Sequence, residues 1–149
     1  MPKIIHIASD HAGFALKNSV LAHLAQQGFT VQDHGVSNAH ICDYPEYAQA
    51  LCKAVLAHGD PGILICGSGL GMSMMANRFQ GIRAAVCTNE FLAAAARRHT
   101  DANVLCLGER VVGPGLACAI VDAFLQNEFE NGRHQRRIAM FDRNLKDES

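Results

Sequence analysis

Residues 63–79 read ILICGSGLGMSMMANRF: an apolar run closes on Cys66, and glycines follow at 67, 69 and 71. A short, continuous apolar run that stops at glycine and feeds a helix-like segment is the pattern of a buried parallel strand. The same alternation recurs along the chain. Strand-like runs fall at 4–8, 30–33, 63–66, 83–87 and 104–107, and helix-like segments at 13–27, 46–58, 71–78, 90–98 and 115–127. Gly28 and Gly59 stand where helix C-caps belong. Five strand–helix units predict an α/β fold: a three-layer sandwich with a Rossmann-like, five-stranded parallel sheet and helices on both faces. After Asn127 the pattern changes to a charged stretch, with a helical segment near 133–141. This C-terminal helical tail, from about residue 128, is too polar to join the core entirely. It is free to cross the domain or to pack on a partner chain.

The 149 residues are expected to form a single domain over 1–149. Hydrophobic residues make up 49% and charged residues 18%, a globular balance that argues against disorder. No apolar stretch approaches the roughly 20 residues of a membrane span, and the N-terminus lacks the features of a signal peptide. A net charge of −1 gives no bulk attraction to nucleic acid or to an anionic membrane. Six cysteines, none in a CxxC pair, lie mostly in apolar segments and fit a reducing cytoplasm. Eight histidines without HxH or HExxH spacing give no structural metal site.

In a doubly wound sheet, ligands bind at the carboxyl ends of the strands. Those ends carry Ser9-Asp10-His11, Gly35 onward, Cys66 to Gly71, Thr88-Asn89-Glu90 and Gly108-Glu109-Arg110. Glycines at 67, 69 and 71 let the backbone turn sharply and bring its N–H groups close to an anion, at the start of a helix. A thiol at that edge is suited to act as base or nucleophile, because a helix N-terminus and converging N–H groups favour the thiolate. The plainer reading, that Cys66 ends a buried strand as Cys87 and Cys106 do, stands beside it. A cysteine phosphatase loop needs an arginine six places on, where Met72 stands. A dinucleotide turn is a second alternative, since GSGLG is a truncated GxGxxG with Glu90 about twenty residues on. Its third glycine comes one place early, and the loop follows the third strand rather than the first.

The other strand ends leave paired readings. Asp10 either caps the next helix or works beside His11. His99 follows Arg97-Arg98 at a helix end, where an imidazole also serves as a cap. Arg133 and Arg137 share a helical face; they form either a fork for phosphate or a solvated basic surface. Met72, Met74 and Met75 read as packing. His6, His23, His34, His40, His58 and His134 carry no assigned role.

Taken together, SDHAGFALK at 9–17, DYP at 43–45, the 63–87 block, HTDANVLCLGERVVG at 99–113 and GRHQRR at 132–137 resemble the type B ribose-5-phosphate isomerase family. That family includes galactose-6-phosphate and allose-6-phosphate isomerases. The resemblance implies interconversion of ribose 5-phosphate and ribulose 5-phosphate through an enediolate, with no metal and no organic cofactor. By position, Cys66 is similar to the base between C2 and C1, and His99 to the residue that opens the sugar ring, with Asp10 assisting. The amides of Gly67, Ser68, Gly69, Leu70 and Gly71, with the Ser68 side chain, correspond to the enediolate cradle. His11, Arg110, Arg133 and Arg137 correspond to the phosphate clamp, and Tyr44, Thr100 and Asn103 to further substrate contacts. Some relatives use a glutamate where Met72 stands, which puts this chain with the cysteine-base group. Thr100 replaces the asparagine common in the family. The resemblance also implies a homodimer or tetramer with shared active sites. Two other readings remain: the same chemistry on a six-carbon sugar phosphate or another aldose, and a non-catalytic nucleotide-binding module.

Overall fold

The computed structural model describes residues 4–143. The elements are β1 (Ile4–Ser9), a 3-10 turn (His11–Gly13), α1 (Phe14–Gln26), β2 (Thr30–Asp33), α2 (Tyr44–His58) and β3 (Gly62–Cys66). They continue with α3 (Leu70–Ala76), β4 (Ala84–Val86), α4 (Glu90–Thr100), β5 (Val104–Gly108), α5 (Pro114–Gln126) and α6 (Arg133–Ile138). The strands form one sheet in the order β2-β1-β3-β5-β4, and each neighbouring pair is parallel. The register runs Ile7 to Ile63 and Ile63 to Leu105 across the centre.

Side chains alternate between two apolar layers, as the pleat requires. Ile5, Ile7, Ile63, Ile65, Leu105 and Leu107 face α1, α4 and α5. Ala8, Leu64, Cys66, Val104 and Cys106 face α2 and α3. Each fully buried Ile or Leu contributes on the order of 1.5–3 kcal/mol, so the three central strands anchor the domain. The five strands and their parallel pairing agree with the sequence reading. The edges differ in detail. Thr30, Gln32 and Asp33 are exposed, so β2 is not a doubly covered strand. β4 is shorter than 83–87, because Arg83 turns its backbone N–H to Asn103 Oδ1 instead of a ladder partner. Helix α2 starts at Tyr44 rather than 46, with Pro45 in its first turn, where no N–H is needed.

One polar group sits inside the α2 layer. His6 is fully buried in β1, and its Nδ1 lies 2.9 Å from His34 Nε2. The His58 ring stacks on it with centroids 5.9 Å apart. Burial lowers the pKa of His6 below 6.5, with His34 and His58 adding to the effect and Asp60 opposing it. Burial lowers that of His34 too, against Asp33. With folded values below unfolded ones, the unfolded chain takes up protons first as pH falls. Stability from this pair is therefore complete above the unfolded value and is lost as pH drops through the folded one. The guanidinium unfolding midpoint is expected to fall between about pH 7.5 and about pH 5.5, and a midpoint that stays level or rises contradicts this.

Candidate active site

The carboxyl end of β3 carries the glycine loop into α3. Gly69 N–H donates to Cys66 Sγ at 3.1 Å, so the sulfur already accepts one amide of the turn. A thiolate accepts such a bond better than a thiol. Gly69 has φ +82°, a conformation open to glycine and strained for other residues. Ser68 Oγ accepts the N–H of Leu70 at 3.2 Å. Loop and β5 touch backbone to backbone: a Cβ on Gly108 would stand 2.6 Å from the Ser68 carbonyl carbon. Glu109 N–H donates to Cys66 O, and Arg110 N–H to Gly67 O. The Arg110 guanidinium thereby lies against Gly67, and the Tyr44 ring against Gly71.

Asp10 and His11 stand at the end of β1, beside this loop. Asp10 N–H donates to Ile65 O, and its carboxylate accepts Gly13 N–H at 3.1 Å. The capping role foreseen for Asp10 is therefore real; the side chain is only 5% exposed. His11 Nδ1 accepts Cys42 N–H at 3.3 Å. One end of the sheet thus gathers Asp10, His11, Tyr44, Cys66, Ser68 and Arg110 around a turn of backbone amides.

His99, Thr100, Asn103, Arg133 and Arg137 lie at the opposite end. Helix α4 leaves the carboxyl end of β4 and finishes at the amino end of β5. Arg83, at that amino edge, donates from Nε to the carbonyls of Thr100 and Asp101. The five residues of β5 separate the two ends by roughly 13–16 Å. His99 stacks on His134 of α6 with centroids 4.7 Å apart, and exposed Arg133 and Arg137 flank that ring in sequence. Thr100 Oγ1 donates to Ala96 O, and Asn103 bonds the Arg83 N–H and the Gly81 carbonyl. Both side chains are engaged by their own chain.

Several supporting residues escaped the sequence reading. Lys17, 1% exposed, donates to Asp33 Oδ1 and to Val36 O. The 33–36 segment it holds brackets Ser9 through Ser9 N–H to Gly35 O and Val36 N–H to Ser9 O. Glu109 Oε1 accepts Leu16 N–H at 2.6 Å and ties the loop after β5 to α1. A charged residue at a helix position otherwise facing the core was the available signal for Lys17. Burial pushes the Cys52 thiol up to about 12 and the Cys87 thiol up to about 11. Those thiols remain protonated packing groups.

Among the described residues, His99, Glu130 and His134 offer three ligand atoms within 4.8 Å of one another. No helix among the described residues is long and apolar enough to cross a membrane.

Fold and site define a parallel α/β domain with a glycine-rich turn of backbone amides at the carboxyl end of the central strand. The sequence profile of the Ribose/Galactose Isomerase family matches residues 5–141. Ribose-5-phosphate isomerase B of Escherichia coli is 48% identical over 137 residues, 91% of this chain and 92% of that protein. A ribose 5-phosphate isomerase from Thermotoga maritima superposes with a TM-score of 0.92 at 48% identity, covering 93% of this chain and 97% of its own. Ribose-5-phosphate isomerase B of Clostridium thermocellum gives 0.94 at 46% identity, covering 98% and 99%. The Mycoplasma genitalium enzyme, solved with bound ribulose-5-phosphate, gives 0.91 at 44% identity, covering 98% and 97%. The chain belongs to the ribose/galactose isomerase family, in its type B ribose-5-phosphate isomerase branch.

The Gly108 contact yields a direct test of how the cradle is held. Gly108→Ala meets backbone that no rotamer can clear, and is expected to cost about 1–3 kcal/mol by denaturant unfolding. Gly115→Ala, in open space inside α5, is expected to be neutral or stabilising by up to about 1 kcal/mol. Equal behaviour of the two variants contradicts the close-packed loop.

Proposed function

We propose that the protein interconverts ribose 5-phosphate and ribulose 5-phosphate through an enediolate, with Cys66 as the base. The observation that carries this reading is the Cys66 sulfur seated at the mouth of the Gly67–Gly71 amide turn. A hydrogen alpha to a carbonyl is weakly acidic, so the oxyanion that forms on its removal needs preorganised donors. Each such donor contributes on the order of 3 kcal/mol in comparable sites. Cys66 takes the proton from C2 and returns it to C1, the O2 hydroxyl proton passes to O1, and loop amides and Ser68 hold the enediolate oxygens between the two transfers. The phosphate anchors the substrate so that C1 and C2 stay beside the sulfur, which converts remote binding into orientation. Asp10 and His11 border the same cradle. His99 acts on the ring oxygen to open the furanose.

The separation of His99, Arg133 and Arg137 from Cys66 within one chain supports an assembly with shared sites. In a homodimer, the β3 end of one protomer meets the α4 and α6 end of its partner. Arg133 and Arg137 of one chain then join His11 and Arg110 of the other around the phosphate. Isolated positive charge at an exposed pair of arginines gains most from an anion that both can grip.

Chelator-treated protein is expected to convert ribose 5-phosphate to the ketose. Cys66→Ala is expected to lose at least ~10²-fold in turnover while still binding the sugar phosphate. Full activity in that variant removes Cys66 as the base. Shared sites make a second, independent demand. Cys66→Ala and His99→Ala, each inactive alone, are expected to recover about a quarter of wild-type activity when unfolded together and refolded, because half the random pairs hold one intact site of two. No recovery by refolded dimers contradicts a site assembled from two chains.

A further inference from the structure

We infer that His134 is the positioning residue for His99, governing the ring-opening step and not the proton transfer at C1 and C2; this rests on the isomerase reading above. His134 is 8% exposed, whereas Arg133, Gln135, Arg136 and Arg137 around it are exposed. Its ring lies on the His99 ring, 17° from parallel at a centroid separation of 4.7 Å. Its Nε2 has no hydrogen-bond partner among the described residues and stands 3.7 Å from Glu130 Oε2. Glu130 is itself tied to α4: its N–H donates to Arg98 O, and Oε1 lies 4.0 Å from Arg98 Nε. The stack is therefore bolted to the helical turn that carries His99.

Orientation is what this geometry supplies. A histidine near a helix end turns about two soft torsions, and a proton-transfer group gains its effect only when aimed. A flat, buried partner removes that freedom. Burial, with Arg133, His99 and Arg137 against Glu130, also keeps the His134 pKa lowered, so the plate is uncharged near neutrality. An uncharged plate does not oppose a proton arriving on His99. The same cluster brings three ligand atoms within 4.8 Å. With ring planes this close to parallel, an ion in the plane of one ring lies well out of the plane of the other. The rings are arranged to stack rather than to share an ion.

The two halves of the reaction separate chemically. Opening the furanose breaks C1–O4 and forms the C1 carbonyl; the O1 hydroxyl gives up its proton, and O4 gains one. Ribulose 5-phosphate has its C5 oxygen esterified, so it has no hydroxyl able to close a five-membered ring on C2. It is open-chain, and exchange of its C1 hydrogen with solvent needs the base and the cradle without the ring step.

The test measures solvent deuterium entering C1 of ribulose 5-phosphate at saturation, beside turnover of ribose 5-phosphate, in wild type, His134→Ala and His134→Phe. His134→Ala is expected to keep exchange within about twofold of wild type and to lose about 10–100-fold in turnover, part of the ~10²–10⁴-fold a placed acid–base group supplies. His134→Phe, which retains an aromatic plate, is expected to recover most of that loss. Should His134→Ala not fold, His134→Leu takes its place, filling the space without an aromatic face. Unchanged turnover overturns the inference. So does a parallel loss of exchange and turnover, which marks a merely structural role, and so does a Phe variant no better than the aliphatic one. Wild type lacking both activities overturns the isomerase reading itself, and a wild type active in both tests keeps the two failures distinct.

Discussion

The bond from Gly69 N–H to the Cys66 sulfur is the interaction on which the rest of the site depends. It requires the chain to leave a buried strand and turn at once, with the next amides pointing back toward the strand end. Gly69 makes the turn with a positive φ, and Gly108 lets β5 press its backbone against Ser68. With the loop seated on β5, Glu109 and Arg110 follow in register through Cys66 O and Gly67 O. A thiol, a turn of backbone amides and a guanidinium are thus fixed by one backbone arrangement. Preorganisation of this kind is what a developing oxyanion needs, because donors already in place have no reorganisation to undergo during reaction.

Around that arrangement, the sheet serves as a rigid frame. β1, β3 and β5 are buried on both faces, and their carboxyl ends carry Asp10, Cys66 and Gly108. Lys17 and Glu109 brace the neighbouring turns through a buried ammonium and a carboxylate bound to a main-chain N–H. These contacts connect packing to function. They hold the loops that border the Cys66 turn in place.

Much of this was legible in the residues. Continuous apolar runs at 63–66 and 104–107 marked central strands, and glycines at 67, 69 and 71 marked the turn. Edge strands were harder, because Thr30, Gln32 and Asp33 gain nothing from being apolar on an exposed edge. Shared sites entered only through the resemblance; the residues by themselves did not show that His99 and Cys66 lie at opposite ends of the sheet, although the cause is simple. His99 ends a helix and Cys66 ends a strand, and in a parallel α/β unit those ends lie on opposite edges. Thr100 and Asn103 read as polar and available, yet Thr100 is bonded to Ala96 and Asn103 to Arg83 and Gly81. The Thr100 bond is the local i−4 bond open to any helical threonine, whereas the Asn103 partners lie about twenty residues away and leave no local trace. Neither did the burial of His134 among exposed arginines, nor its stacking on His99.

The two ends of the sheet have complementary characters. One offers a thiol, a carboxylate and converging amides; the other offers an imidazole stack and two exposed arginines. The proposed isomerisation of a phosphorylated sugar draws on both. The most direct measurement is a structure of this protein with ribulose 5-phosphate bound. The account predicts Cys66 Sγ about 3–3.5 Å from C1 and C2, with the C2 oxygen among the loop amides. Reactive carbons turned toward another side chain, with the sulfur out of reach, would contradict it.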